Sequence, residues 1–219
     1  MPLIRADFSR AAWLAPADGV WVSSPQGGVQ RLMLDRVGEE VAVATSLVRY
    51  APESYFPAHE HALGEEFLVL EGEFADEQGC YPPGTYVRNP PGSRHTPFSD
   101  PGCLIWVKLR QFDPADQQPL VVSLPEVDAP GTTEVTELYR YRDEVVSCVR
   151  APASVTIVLP ATPTVQEILV VDGAIRWDDV VLPRHGWLRT PAHQPLSFET
   201  TQPARLLHKT RPAYAIPGG

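Results

Sequence analysis

The feature that most limits what this chain can fold into is an internal repeat. Glu65-Glu66-Phe67-Leu68-Val69-Leu70-Glu71-Gly72 is echoed by Gln166-Glu167-Ile168-Leu169-Val170-Val171-Asp172-Gly173. Downstream, Pro82, Gly84, Arg88 and Pro90 have counterparts in Pro183, Gly186, Arg189 and Pro191. Upstream, Val48-Arg49-Tyr50-Ala51-Pro52 matches Val149-Arg150-Ala151-Pro152. The offset holds at about 100 residues, which is the length of a whole domain and not of a solenoid unit. Two similar domains are therefore expected, residues 1–113 and 114–219, joined through a proline-bearing stretch from Gln111 to Gly131.

The repeated segments read as strands. Val41-Ala42-Val43-Ala44-Thr45-Ser46-Leu47-Val48, Glu66 to Leu70, Thr85 to Arg88 and Cys103 to Leu109 are short and rich in β-branched or apolar residues. Turn residues such as Asp100-Pro101-Gly102 separate them, which is barrel or sandwich spacing. The 24 prolines of the 219 residues fit many short strands punctuated by turns. The only helical signal is a turn near Ser9 to Leu14. The fold class expected is all-β, in two tandem β-barrels.

Charge and cysteine usage exclude several roles. With a formal net charge of −9, the chain repels phosphate backbones, so no nucleic-acid partner is expected. No apolar run approaches the ~18 residues of a membrane span, and no signal-peptide core follows Met1, so a cytoplasmic location without membrane association is expected. Cys80, Cys103 and Cys148 are odd in number and far apart, as suits reduced thiols.

The chemistry concentrates in the first repeat. His59 and His61, two apart, share one face of a strand, so both imidazoles reach one metal. Glu65 follows across the turn Ala62-Leu63-Gly64, and His95 comes after Asn89-Pro90-Pro91-Gly92. Three nitrogens and a carboxylate suit a borderline divalent cation, with zinc expected and iron, manganese or nickel as alternatives. The second repeat places Pro160, Thr162, Gln166 and Leu196 at the matching positions, so no ligand survives there. Its histidines, His185, His193 and His208, are expected to be structural or surface groups. Tyr55, Tyr86, Arg88, Trp106 and Lys108 are candidates to orient an acidic substrate, and no separate general base is evident.

These residues resemble the cupin signature, G-x5-H-x-H-x3,4-E-x6-G followed by G-x5-P-x-G-x2-H-x3-N. His59, His61, Glu65 and Gly72 fit the first motif, and Gly84, Pro90, Gly92 and His95 fit the second. Glu53 and Ser99 depart from it at positions that are not ligands. Residues 35–112 are most similar to the cupin domain of ChrR-type proteins, zinc-containing anti-sigma factors that respond to singlet oxygen. The resemblance implies jelly-roll-like cupin barrels, one live and one degenerate (a bicupin), with metal ligands at His59, His61, Glu65 and His95. ChrR proteins also carry a zinc-binding helical domain that grips the sigma factor. Here no His precedes His59 and no Cys precedes Cys80, so that domain is not expected.

Two functional readings follow from the resemblance. One is a sensor or small-molecule-binding module with a regulatory protein partner. The other is a non-haem dioxygenase acting on a small dicarbonyl or acidic substrate. A homodimer is expected in either case, since such barrels often pair through edge strands.

Overall fold

The computed structural model describes residues 3–39, 41–126 and 131–211. Among the described residues the regular structure is strand throughout, apart from one short 3-10 turn at Pro16–Asp18. Among the described residues, no helix is long and apolar enough to cross a membrane. The chain divides into two compact units. The first holds the described residues up to Ala6 and Gly19–Leu124, and the second holds Asp7–Asp18 and the described residues from Pro125 onward.

In the first unit the larger sheet runs Leu3–Ile4, Val29–Val37, Val43–Tyr50, Cys103–Leu109, Glu65–Gly72, Thr85–Asn89 and Leu120–Ser123, with Trp21–Ser23 beside Val29–Val37. A smaller sheet runs Gly79–Tyr81, Phe74–Asp76, Phe98–Ser99 and Ser54–Tyr55. All pairings are antiparallel. Val29, Val48, Phe67, Val69, Phe74, Val87, Ile105 and Val107 form one buried cluster between the two sheets. Burial of that kind, at ~25 cal/mol per Å² of apolar surface, is what holds the sheets face to face. Each sheet stays open, so the unit is a jelly-roll-like sandwich and not a closed barrel.

The second unit repeats this plan. Its larger sheet runs Glu134–Tyr141, Glu144–Ala151, Ala204–Arg211, Val165–Asp172 and Trp187–Thr190, the order of the corresponding strands in the first. Its smaller sheet joins Thr156–Leu159, Leu196–Thr200, Ile175–Trp177 and Val180–Leu182. Even the irregularities recur, since a register shift skips Leu70 in one unit and Val171 in the other. Gly72 and Gly173 both have positive φ, 69° and 79°. A Cβ on either would lie 1.9 Å from the Gly102 carbonyl oxygen or 2.2 Å from that of Pro203, so only glycine fits.

Two local expectations change. Ala12–Leu14 is not a helical turn but a strand paired with Trp187–Arg189 at the edge of the second unit's large sheet. The unpaired edge of Trp187–Thr190 supplies ladder hydrogen bonds that outweigh a weak local helical tendency. The stretch from Gln111 is also more than a linker. Leu120–Ser123 pairs with Thr85–Arg88, and both Asp116 and Leu124 are buried.

Each large sheet carries a charged network on the face opposite the core. Arg88 bridges Glu66 at 3.2 Å and Asp116 at 2.7 Å, donates to the Tyr86 hydroxyl at 3.4 Å, and stacks over Phe112 at 4.1 Å. In the repeat, Trp187 donates to Glu167 at 3.1 Å, Arg211 pairs with Glu167, and Arg189 stacks over Phe8 at 4.1 Å. The duplicated domains thus keep this network while differing at the metal cluster.

Candidate metal centre

The turns before and after the long strand Glu65–Gly72 bring the four candidate ligands together. His59–Glu60 pairs with Arg94–His95, setting His59 opposite His95. Glu65 sits at the first position of its strand, opposite Asn89 and Leu109. His61 is fixed by its backbone, whose N–H donates to the Ser93 carbonyl and whose carbonyl accepts from Gly64 and Gly92. The reversal from His61 to Glu65 needs Gly64 at φ 76°, where a Cβ would meet the Phe112 ring at 2.4 Å.

The resulting cluster is compact. One donor atom each from His59, His61, Glu65 and His95 lies within 4.8 Å of all the others. Glu65 Oε1 is 3.6 Å from His61 Nε2 and 3.5 Å from His95 Nε2. These separations exceed good hydrogen bonds and match donors sharing one cation, since ligands ~2.0–2.1 Å from a metal in tetrahedral array stand ~3.4 Å apart. His61, Glu65 and His95 are buried, and His59 is partly exposed at the rim. Both His61 Nε2 and His95 Nε2 are buried without a hydrogen-bond partner. An orphaned buried nitrogen is costly, and two aimed at one carboxylate oxygen are what a metal would satisfy. The donor set therefore fits a divalent cation.

Neighbouring groups orient the imidazoles. His59 Nδ1 donates to the Pro57 carbonyl at 2.8 Å, and His95 Nδ1 donates to Asp76 Oδ2 at 3.1 Å, so each presents Nε2 to the centre. Asp76 is itself held by Tyr81 at 3.1 Å and the Gln78 N–H at 2.8 Å. Asn89 donates to Glu65 Oε1 at 3.4 Å. Burial pushes the His61 pKa down, against the pull of Glu65, and so favours the neutral imidazole a metal requires. Burial works the same way on His95, but the Asp76 hydrogen bond and the charge of Glu65 outweigh it and leave that pKa raised. A metal at His95 therefore competes with a proton that Asp76 and Glu65 favour.

The cluster forms the floor of an open pocket of about 220 Å³ lined by Val29, Val48, Phe74, Ile105 and Val107, with Arg31 and Tyr50 among them. The candidate substrate-orienting residues do not line it. Tyr55 is 57% exposed on the surface, while Tyr86, Arg88, Trp106 and Lys108 are buried on the other sheet face. Strand register explains this: Arg88 and Lys108 both stand opposite Glu66, and Tyr86 and Trp106 opposite Leu68. All share the parity of Glu66, so they point away from Glu65. Arg88 and Lys108 are instead occupied with Asp116 and Thr45. Sequence reasoning missed Asp76, Arg31 and Tyr50; for the last two the signal was their shared parity with the apolar Val29 and Val48.

In the second unit the matching place is filled by protein hydrogen bonds. Gln166 donates to the Pro160 and Gln194 carbonyls at 3.1 and 3.0 Å and accepts from His208 at 3.1 Å. Leu159, one residue from Pro160, pairs with Leu196 where His59 pairs with His95. Among the described residues, His59, His61, Glu65 and His95 are the one group of three or more potential ligands placed to hold a metal.

Fold and site together define a cupin architecture, two jelly-roll-like units of which one carries a three-histidine, one-glutamate cluster. Residues 9–113 match the family model described as the ChrR Cupin-like domain. No curated protein matches the chain. Among solved structures, a putative dioxygenase from Nostoc punctiforme superposes with a TM-score of 0.74 at 12% identity, covering 94% of this chain and 84% of that one. The bacterial pirin YhhW of Escherichia coli, in complex with nickel(II), gives 0.71 at 14% identity over 93% and 100% of the two chains. A putative glyoxylate-induced protein from Pseudomonas aeruginosa gives 0.67 at 16% identity over 100% and 94%. At these identities the likeness is one of fold.

Proposed function

We propose that the chain binds a single divalent metal through His59, His61, Glu65 and His95 and acts on a small organic molecule held above it, as a non-haem metal-dependent dioxygenase does. The observation that carries this reading is the position of the cluster, at the floor of an apolar pocket that opens to solvent. A purely structural zinc closes its shell with protein donors and needs no adjoining pocket, whereas a working centre keeps positions open beside one. The bound metal would supply Lewis acidity and, if redox-active, oxygen chemistry. The protein's own part is to hold the imidazoles in the right tautomer through Pro57 and Asp76, and to exclude water with the apolar wall. The dioxygenase named among the structural neighbours supports the reading at the level of fold.

A second reading is a regulatory cupin, in which zinc and a small ligand are sensed and reported to a protein partner. The match of residues 9–113 to the ChrR Cupin-like domain favours it. Elemental analysis of protein purified without added metal, beside His95→Ala, separates the two. About one iron or manganese per chain, lost in the variant and accompanied by oxygen uptake with pentane-2,4-dione or a small oxo acid, supports the enzyme. About one zinc without oxygen uptake supports the regulatory reading. No metal in the parent, or full retention in the variant, overturns the site.

A further inference from the structure

Beside the four candidate ligands, the pocket is lined by the polar side chains of Glu60, Arg110, Arg31 and Tyr50, of which Arg31 and Tyr50 lie on the paired strands Val29–Val37 and Val43–Tyr50. Arg31 lies on Val29–Val37 with the inward parity of Val29, a member of the core between the sheets. Arg31 is only partly buried there, so its guanidinium is available to an anion that enters the pocket. Among the described residues, no carboxylate is within ion-pair distance of Arg31, and its close contact is the Phe56 ring, 5.7 Å from the guanidinium carbon to the centroid. Tyr50 is 7% exposed and packs edge-on against Phe74, with its ring centroid 5.6 Å away. Its hydroxyl has no hydrogen-bond partner among the described residues. Burial, reinforced by Glu65 and Cys103 and opposed by Arg31, pushes the Tyr50 pKa up, so the group remains a neutral donor.

The register makes these two groups a pair. Val29 stands opposite Tyr50 and Arg31 opposite Val48, so Arg31 and Tyr50 are diagonal neighbours on the inner face of one antiparallel ladder. Diagonal neighbours lie ~7–8 Å apart, within reach of one another for long side chains. A fork of charged donors and a hydroxyl converging from that distance matches one carboxylate. Val48, Phe74, Ile105 and Val107 give the pocket an apolar stretch of wall that suits a short hydrocarbon body.

We propose that Arg31 and Tyr50 form the recognition site for the carboxylate of a small aliphatic monoacid, whose body lies along the apolar wall and whose far end reaches the His59 rim of the metal cluster. The proposal deepens the reading of this pocket as a ligand site and rests on it. The two residues are positioning groups: they select and align the ligand and touch no metal.

The test is calorimetric titration of the full chain with hexanoate and with its uncharged analogue hexanamide, in chelator-treated and in zinc-loaded protein. Hexanoate is expected to bind roughly tenfold or more tightly than hexanamide in both preparations, because the selecting charge belongs to the protein. Arg31→Gln should erase that preference and leave zinc content unchanged, Arg31→Lys should restore part of it, and Tyr50→Phe should weaken hexanoate several-fold. Tyr50→Phe removes only a hydroxyl and remains informative should Arg31→Gln fold poorly. Equal binding of acid and amide, no binding of hexanoate, or a preference that survives Arg31→Gln and Tyr50→Phe overturns the proposal. A hexanoate response that appears only with zinc and ignores Arg31→Gln also overturns it, since the metal alone would then be the receptor. If zinc fails to bind at all, the metal reading falls, while the acid-over-amide preference of chelator-treated protein still decides the role of Arg31.

Discussion

Asp76 shows how much of the centre depends on a residue that holds no ligand position. It anchors His95 Nδ1 at 3.1 Å while Tyr81 and the Gln78 N–H anchor Asp76 in turn. The carboxylate is kept ionised, below its ordinary pKa, because the His95, Gln78 and Tyr81 hydrogen bonds overcome the opposing effect of burial. Asp76→Asn keeps the volume but replaces an anionic acceptor by an amide that accepts more weakly and can turn its NH2 toward the ring. Metal affinity is expected to fall about 10–100-fold, as for other partners of ligating histidines, read by competition against a chromophoric chelator. Unchanged affinity would mean that strand pairing alone orients His95. No spacing in the chain points to Asp76, because its link to His95 crosses from one strand of the small sheet to a two-residue ribbon.

At the scale of elements, the His61-to-Glu65 turn is where the metal cluster meets the outer network. Gly64 lies against Phe112, Phe112 lies under Arg88, and Arg88 bridges Glu66 and Asp116. The strand bearing Glu65 is thereby held on one face by the core and on the other by this network. Gly64→Ala forces a side chain to φ 76° and into the Phe112 ring. A loss of stability of roughly 1–3 kcal/mol is expected, from the left-handed strain and the clash together, measured by denaturant titration. The same variant should weaken metal binding, because Glu65 follows the turn directly. A variant as stable as the parent would show that Phe112 moves aside freely. Ligand spacing across this turn was legible in the sequence. The Phe112 contact was not, because it depends on a later segment that reads as a linker.

For the molecule as a whole, the two units use one plan to different ends. Where the first converges four ligands, the second closes the same place with Gln166, His208 and two carbonyls. His208 is partly buried, and the loss of water around its ring pushes its pKa down to about 4, so it folds as the neutral imidazole. With a folded pKa below the ordinary value of ~6.5, the unfolded chain binds the proton more readily between those values. Stability contributed by neutral His208 is therefore full above pH ~6.5 and lost as pH falls toward about 4, by on the order of 3 kcal/mol. His208→Gln retains a donor toward Gln166 and cannot titrate, so its stability should fall less over that range than the parent's. Chemical denaturation at several pH values, with chelator present throughout, checks this. Parallel pH profiles would show that His208 does not set the acid limit.

Sequence alone carried the internal repeat, the strands and the candidate set His59, His61, Glu65 and His95, because each is written in local spacing. Repeat offsets, turn residues and a period of two survive in a linear string, and the cluster's ligands sit at turns whose geometry is set by nearby glycines and prolines. Only the tertiary structure decided which faces meet. Arg88 and Lys108 have the chemistry to bind an acid but the parity of Glu66, while Arg31 and Tyr50, on the consecutive strands Val29–Val37 and Val43–Tyr50, reach the pocket through register. The assignment of Asp7–Asp18 to the second unit was likewise decided by an edge that only the folded sheet presents. In each case the deciding quantity is strand pairing and its register, and a one-residue shift would send the same side chains to the opposite face.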